Sequence, residues 1–182
     1  MRRAIATRSS LRKKIKKTFS EKAIAKRIAK LGATIRKDAG DSHVLLLGIL
    51  KGASFFLADL ARAIPGEVSY GFIDVVRETA DTEVAAATQI NFLSWINISG
   101  KNVYLLKDVV SSGVIENYLL TQLRQKKPAN LKLVALLDRA DLRTVDISPD
   151  YSAFKVDHGG SYVGYGLELE GKHGNLPWIG RM

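Results

Sequence analysis

Chemistry is best served where apolar runs give way to charged and small residues. Val103-Tyr-Leu-Leu106 is followed by Lys107-Asp108, two valines and Ser111-Ser112-Gly113, and a helical pattern then opens at Val114-Ile115. A buried strand that turns through glycine into a helix aims that helix's first amides outward, where they can hold an anion. Phosphate binding is the chemistry this stretch suits, although many parallel sheets use the same strand, turn and helix for architecture alone. A second apolar run, Val44 to Leu50, ends in Lys51-Gly52-Ala53, and a third, Leu131 to Leu137, ends beside Arg139.

The elements that must position these residues follow from periodicity. Residues 2–17 could hold an amphipathic helix using Leu11, Ile15 and Phe19. A firmer helix starts near Thr18, which forms a capping-box pattern with Glu21, and it carries Ile24, Ile28, Leu31 and Ile35 along one face until Gly40. Ser54 to Ile64 reads as a second amphipathic helix, stopped by Pro65-Gly66. A strand is expected at about 67–76, a mobile loop between Arg77 and Thr88, and a β-like run over Gln89–Leu93. The helix after Gly113 should run to about Lys126, with short strands at Tyr151–Val156 and Tyr162–Leu167. Strands alternating with helices predict a parallel α/β sheet whose ligand site lies beyond the strands' C-terminal ends. Lys51, Asp108, Ser112, Arg139 and Glu168 fall at such ends.

Composition narrows the class. At 182 residues and 46% hydrophobic, the chain suits one globular domain with a sizeable core. Cysteine is absent, which removes disulfides and thiolate metal sites and fits a reducing, cytoplasmic compartment. The apolar runs are too short for a membrane span. Charge is lopsided: residues 1–40 carry 14 Lys/Arg against Glu21 and Asp38, a balance of +12, while the remaining 14 basic and 16 acidic residues give −2. Residues 1–17 therefore read as a basic N-terminal arm and 18–182 as a single domain. The arm is open to three readings: a solvated extension, a segment for an anionic partner such as nucleic acid or lipid, or an Arg/Ser-rich targeting peptide.

Over residues 17–180 the sequence resembles the hypoxanthine-guanine phosphoribosyltransferases. The resemblance rests on Gly48-Ile-Leu-Lys-Gly-Ala53 with Phe55-Phe-Leu-Ala-Asp-Leu60, on Leu136-Leu-Asp-Arg139, and on Val163-Gly-Tyr-Gly-Leu-Glu168 followed by Asn175-Leu-Pro-Trp-Ile-Gly180. It implies a type I phosphoribosyltransferase fold, a twisted and mainly parallel sheet flanked by helices, with a small hood built from both chain ends. The implied reaction is Mg²⁺-dependent transfer of phosphoribose from phosphoribosyl pyrophosphate (PRPP) to N9 of a 6-oxopurine, in purine salvage, by a homodimer or homotetramer. Leu50, Lys51 and Gly52 become the pyrophosphate loop, which in this family has an unusual peptide conformation before the lysine. Lys107, Asp108, Ser112, Gly113, Val114 and Ile115 become the ribose and phosphate segment, Arg139 and Tyr162 the purine contacts, and Asp108 and Glu168 the metal carboxylates.

Several of these positions depart from the family's pattern. Lys107 stands where the first of two acids belongs, Ser111 where the family's aspartate base belongs, and Ile115 where a phosphate-binding threonine belongs. Arg139 replaces a lysine, Ser161 a stacking aromatic, Glu168 an aspartate and Gly174 an arginine, while Arg77-Glu-Thr79 lacks the family's Ser-Tyr pair. Adjacent strand side chains alternate between faces, so nothing requires Lys107 and Asp108 to pair, and a positive charge there disfavours Mg²⁺. Glu116 could simply favour the helix dipole, or repel or replace a phosphate. The expectation is a phosphoribosyltransferase-like protein that keeps phosphate or purine nucleotide binding with little or no transfer. The alternatives are an active transferase making IMP or GMP with altered catalytic residues and Mg²⁺, and an interaction protein using its basic arm.

Overall fold

The computed structural model describes residues 15–77, 88–90, 97–157 and 159–182. The central layer is a five-stranded parallel sheet in the order β3-β2-β6-β7-β8. Its strands are β2 (Val44–Ile49), β3 (Val68–Ile73), β6 (Asn102–Val110), β7 (Asn130–Asp138) and β8 (Tyr151–Lys155). A short antiparallel sheet, β1-β10-β9, joins the two ends of the described chain through β1 (Lys16–Phe19), β9 (Tyr162–Val163) and β10 (Ile179–Arg181). β4 (Val75–Arg77) and β5 (Thr88–Ile90) form a separate two-stranded ribbon.

Because side chains alternate along a strand, each central strand feeds two cores. Val44, Leu46, Tyr104, Leu106, Val134 and Leu136 pack against helix α1 (Glu21–Ala39) and helix α2 (Ser54–Ala63). Leu45, Leu47, Val103, Leu105, Leu133 and Ala135 pack against Leu119, Leu120 and Leu123 of helix α3 (Val114–Gln125). Ile24, Ile28, Leu31 and Ile35 form the buried face of α1, as their spacing predicts. That helix lies so close to α2 that a Cβ at Gly32 would come within 2.5 Å of the Ala63 carbonyl oxygen.

Five boundaries differ from the sequence reading. Lys16, Lys17 and Phe19 are not helical but pair with β10, which buries Ile15 and stacks Phe19 on Phe154 at 3.9 Å between ring centroids. The remainder of the expected first helix, Leu11 included, lies outside the described residues. The next helix starts at Glu21 rather than near Thr18, and its N-cap is Ser20, whose Oγ accepts from the Ala23 amide at 3.2 Å. The strand expected at 67–76 divides at Asp74 into β3 and β4. The expected short strand at Tyr162–Leu167 stops at Val163, and a tight turn bridging Gly164 and Leu167 replaces the rest. Finally, β6 does not end in the charged pair Lys107-Asp108 but continues through it to Val110. The loop expected after Arg77 lies largely outside the described residues, as does the β-like run beyond Ile90.

One polar network stitches α1 to the sheet. Asp38, near the C-terminal end of α1, accepts from the buried Tyr104 hydroxyl at 2.7 Å and from Lys132 Nζ at 2.6 Å, and Lys132 also donates to Tyr151 Oη at 2.9 Å. Burial works against the Asp38 charge, but the hydrogen bonds from Lys132 and Tyr104 outweigh it and hold the carboxyl below its ordinary value of 3.8. A depressed folded-state pKa contributes stability above that ordinary value, and the contribution is lost as pH falls through the folded pKa. Urea unfolding of Tyr104→Phe should show a loss of about 1.5–3 kcal/mol, the range for a hydrogen bond to a charged group. The Asp38→Asn variant should flatten the fall in stability below about pH 4.

Candidate phosphate and ribose site

The sheet opens its site by a difference in strand length. Pairing between β2 and β6 stops at Gly48 with Leu106, whereas β6 stays paired to β7 as far as Val110 with Asp138. The last residues of β6 therefore rise past the end of β2, and the turn that follows β2 folds in beside them. In that turn the peptide bond between Leu50 and Lys51 is cis, which matches the unusual conformation that the family resemblance implied. Lys51 is exposed. Gly52 is packed so tightly that a Cβ there would lie 1.8 Å from Asp108 Oδ2, so a side chain at 52 would displace the carboxylate. From the other side, the position of a Cβ at Gly166 falls 2.9 Å from the Gly52 carbonyl oxygen, which brings the Val163–Glu168 stretch against the same loop.

Lys107 and Asp108 pair, although strand alternation does not require it. Lys107 Nζ lies 2.8 Å from Asp108 Oδ1, and both side chains are about four-fifths buried, at 20% and 18% exposure. The four-carbon stem of the lysine lets its ammonium curl around the strand edge to its neighbour, which a period-two argument leaves out. Asp108 thus has one oxygen on an ammonium and the other against Gly52. Asp108 Oδ1 accepts no well-aligned hydrogen bond, so this contact is chiefly electrostatic.

The helix end beyond it is organised as the sequence suggested. Gly113 adopts the left-handed conformation, with φ of 83°, at the N-cap of α3, and the Val114 amide points to Ser112 Oγ at 3.5 Å. The Ser112 carbonyl accepts from the Thr144 amide at 3.1 Å and the Thr144 hydroxyl at 3.3 Å. Ile147, Val145 and Arg143 crowd the space above Gly113, where a Cβ would meet Ile147 Cγ2 at 2.4 Å. Ser111 and Ile115 are half-buried and Val114 is exposed.

Glu116 occupies the first turn of α3 and is only 4% exposed. Burial pushes its carboxyl above the ordinary range, while its own backbone amide, the Lys107 ammonium and Arg143 pull the other way, and Asp108 adds to the rise. The acid anticipated as a dipole partner or phosphate substitute is thus an interior group sharing the charge of the Lys107–Asp108 pair. Its burial could not be read from a single acidic position at a helix start, where a solvated carboxylate is the ordinary outcome.

The segment after β7 is built separately. Arg139 follows β7 and its guanidinium reaches the Gly160 carbonyl at 3.3 Å and Asp141 Oδ2 at 3.0 Å, just before Tyr162 enters β9. Arg143 pairs with the buried Asp138 at 2.5 Å, an ion pair for which the sequence offered no signal. Glu168 is exposed and its side chain lies over Gly174. Among the described residues no three His, Cys, Asp or Glu side chains converge into a metal cage. With Oδ1 buried beside an ammonium and Oδ2 against Gly52, Asp108 does not fit a divalent cation.

A parallel sheet with small-residue loops at its C-terminal ends, a glycine turn from β6 into α3 and a hood from the chain ends define a phosphoribosyltransferase domain. The family model described as "phosphoribosyl transferase domain" matches residues 16–168. The hypoxanthine-guanine phosphoribosyltransferase of Bacillus subtilis is 33% identical over 162 residues, covering 89% of this chain and 89% of the relative. Among solved structures, a hypoxanthine phosphoribosyltransferase from Staphylococcus aureus aligns with a TM-score of 0.86 at 28% identity, over 97% of this chain and 96% of its own. A hypoxanthine-guanine phosphoribosyltransferase from Bacillus anthracis aligns with a TM-score of 0.80 at 30% identity, over 91% and 96%. The chain belongs to the hypoxanthine-guanine phosphoribosyltransferase family.

The raised pKa of Glu116 has a stability consequence with a fixed sign. Above its ordinary value of 4.5 the folded state holds this proton more tightly than the unfolded chain does. Glu116 therefore costs stability as pH rises through the folded pKa. Glu116→Gln should raise stability by about 1 kcal/mol at pH 8, with a smaller gain at pH 4, in thermal unfolding followed by circular dichroism.

Proposed function

We propose that the chain binds purine nucleotides or ribose phosphates at the cleft between Lys51-Gly52 and Ser112-Gly113, and that its transfer of phosphoribose from PRPP to hypoxanthine or guanine is strongly impaired. The observation that carries this reading is the Lys107–Asp108 ion pair, 2.8 Å long, at the place where the family resemblance asks for two free acids. Two carboxylates can hold two ribose hydroxyls as acceptors, whereas an ammonium and the carboxylate it neutralises leave much less acceptor capacity. Ser111 compounds the loss, because a hydroxyl without an activating partner takes no proton at neutral pH.

The surviving roles follow from chemistry. Lys51 supplies a mobile positive charge to a diphosphate, and the Gly52 turn supplies backbone amides. Ser112, Gly113 and the Val114 and Ile115 amides face a 5′-phosphate at the positive end of α3. Arg139 offers donors to a 6-oxo group, and Tyr162 a ring face to the base.

A second reading is active transfer with substituted groups, favoured by the 33% identity to a named transferase over nearly the whole chain. Conversion of hypoxanthine or guanine with PRPP and Mg²⁺ separates the two. Under the first reading the unmodified protein forms little IMP or GMP, and Lys107→Glu with Ser111→Asp raises the rate by about 10²–10⁴, the usual value of a positioned base. Robust turnover by the unmodified protein, abolished in Lys51→Ala or Asp108→Asn, would establish the second.

A further inference from the structure

We propose that the solvent face of α1, together with β1 and the groove between α1 and β8, binds the phosphate backbone of double-stranded RNA. This surface lies on the side of the sheet opposite α3, and it does not depend on what the cleft at Lys51 and Ser112 holds.

Sequence concentrates positive charge here and the fold displays it. Residues 16–37 hold eight Lys/Arg against Glu21 alone, and residues 1–14 add six more with no acid. Because Ile24, Ile28, Leu31 and Ile35 take the buried stripe of α1, Lys22, Lys26 and Lys30 fall on its outward side with Arg27, and all four are exposed. Four helical residues rise about 6 Å, so the three lysines form a row about 12 Å long. β1 extends the row with exposed Lys16 and Lys17. Phe154 of β8 holds both elements in one surface, since Phe19 stacks on its ring and the Arg27 guanidinium lies 5.8 Å from the ring centroid. None of these six cations joins an ion pair among the described residues.

The side chains that are missing and those that line the groove choose the partner. The large apolar residues exposed among the described residues lie on neither α1 nor β1, so the face has nothing to insert into a bilayer. Nor do α1 and β1 present an exposed aromatic ring on which the bases of a single strand would stack. A duplex held by its backbone suits a surface of this kind. The groove of about 240 Å³ beside α1 then separates RNA from DNA: Arg27 and Lys30 line its helix side, and Asp150, Tyr151 and Ser152 line the other. Asp150, which already accepts from the Leu133 amide at 2.7 Å, is a poor neighbour for a phosphate. With the phenol and the hydroxyl it forms an acceptor set for a ribose 2′-hydroxyl, which RNA displays beside its phosphates across a wide, shallow minor groove and DNA lacks.

Fluorescence anisotropy of the full chain with a labelled RNA duplex of about 20 base pairs tests this directly. Affinity should fall at least about tenfold between about 50 and about 200 mM salt, as phosphate contacts release counterions. Lys22→Glu, Lys26→Glu and Lys30→Glu together should weaken binding at least about tenfold, with the fold checked by circular dichroism. Reversing three exposed cations elsewhere, by Arg124→Glu, Lys127→Glu and Lys172→Glu, makes the same change in net charge and should cost less than about threefold. Duplex DNA of the same sequence should bind at least about fivefold more weakly than the RNA. Lys51→Ala should leave RNA affinity within about twofold, because the cleft takes no part. Equal losses in the two charge-reversed variants would assign the attraction to net charge and overturn the inference, as would equal affinity for DNA. A loss in Lys51→Ala would move the RNA into the cleft and overturn it too. Binding to phosphatidylserine vesicles with none to RNA would make the face a membrane surface instead. The nucleotide-binding reading of the cleft stands or falls separately from all of these.

Discussion

A strand paired on both edges and covered on both faces meets water only at its ends, and β6 is such a strand. Val103 to Leu106 are fully buried, with β2 on one edge, β7 on the other, helices α1 and α2 on one face and α3 on the other. Charge therefore enters β6 itself where that strand outruns β2. Lys107 and Asp108 are the residues found there. Gly52 packs against that strand end, and the Val163–Glu168 stretch packs in turn against Gly52.

Much of this arrangement was legible in the sequence because it depends on local signals. Four-residue spacing of Ile24, Ile28, Leu31 and Ile35 marks a helix face, and short apolar runs ending in Lys51, Asp108 and Arg139 mark parallel strands facing one site. What escaped depends on reach rather than on period. Lys16 and Lys17 read as an amphipathic helix until β10 offers them a strand to pair with, a partner more than 160 residues away. The strand rule separates residues 107 and 108, yet a lysine is long enough to defeat it. Glu116 looked like a surface acid because nothing in its immediate neighbours announces the residues that cover it.

The charges around the site form one system. Lys107, Asp108, Glu116, Asp138 and Arg143 come from two adjacent strands and the segments that follow them, and their pairings are short and partly buried. Breaking one member of such a set leaves its partner unpaired in a poorly solvated place, which costs more than the pair contributes when intact. A replacement at 107 therefore has to be judged with its neighbours. Membership of the transferase family fixes the scaffold and the location of the site, while this charge set decides what the site can hold. A fold of this kind supports more than one outcome on the same loops.

The most direct test is a crystal structure of the protein grown with GMP and Mg²⁺ at a resolution that distinguishes a metal from water. The account predicts the nucleotide phosphate against Ser112 and Gly113, Lys107 Nζ still on Asp108, and no metal on the Asp108 carboxylate. A divalent ion coordinated by Asp108, with Lys107 turned away, would contradict it.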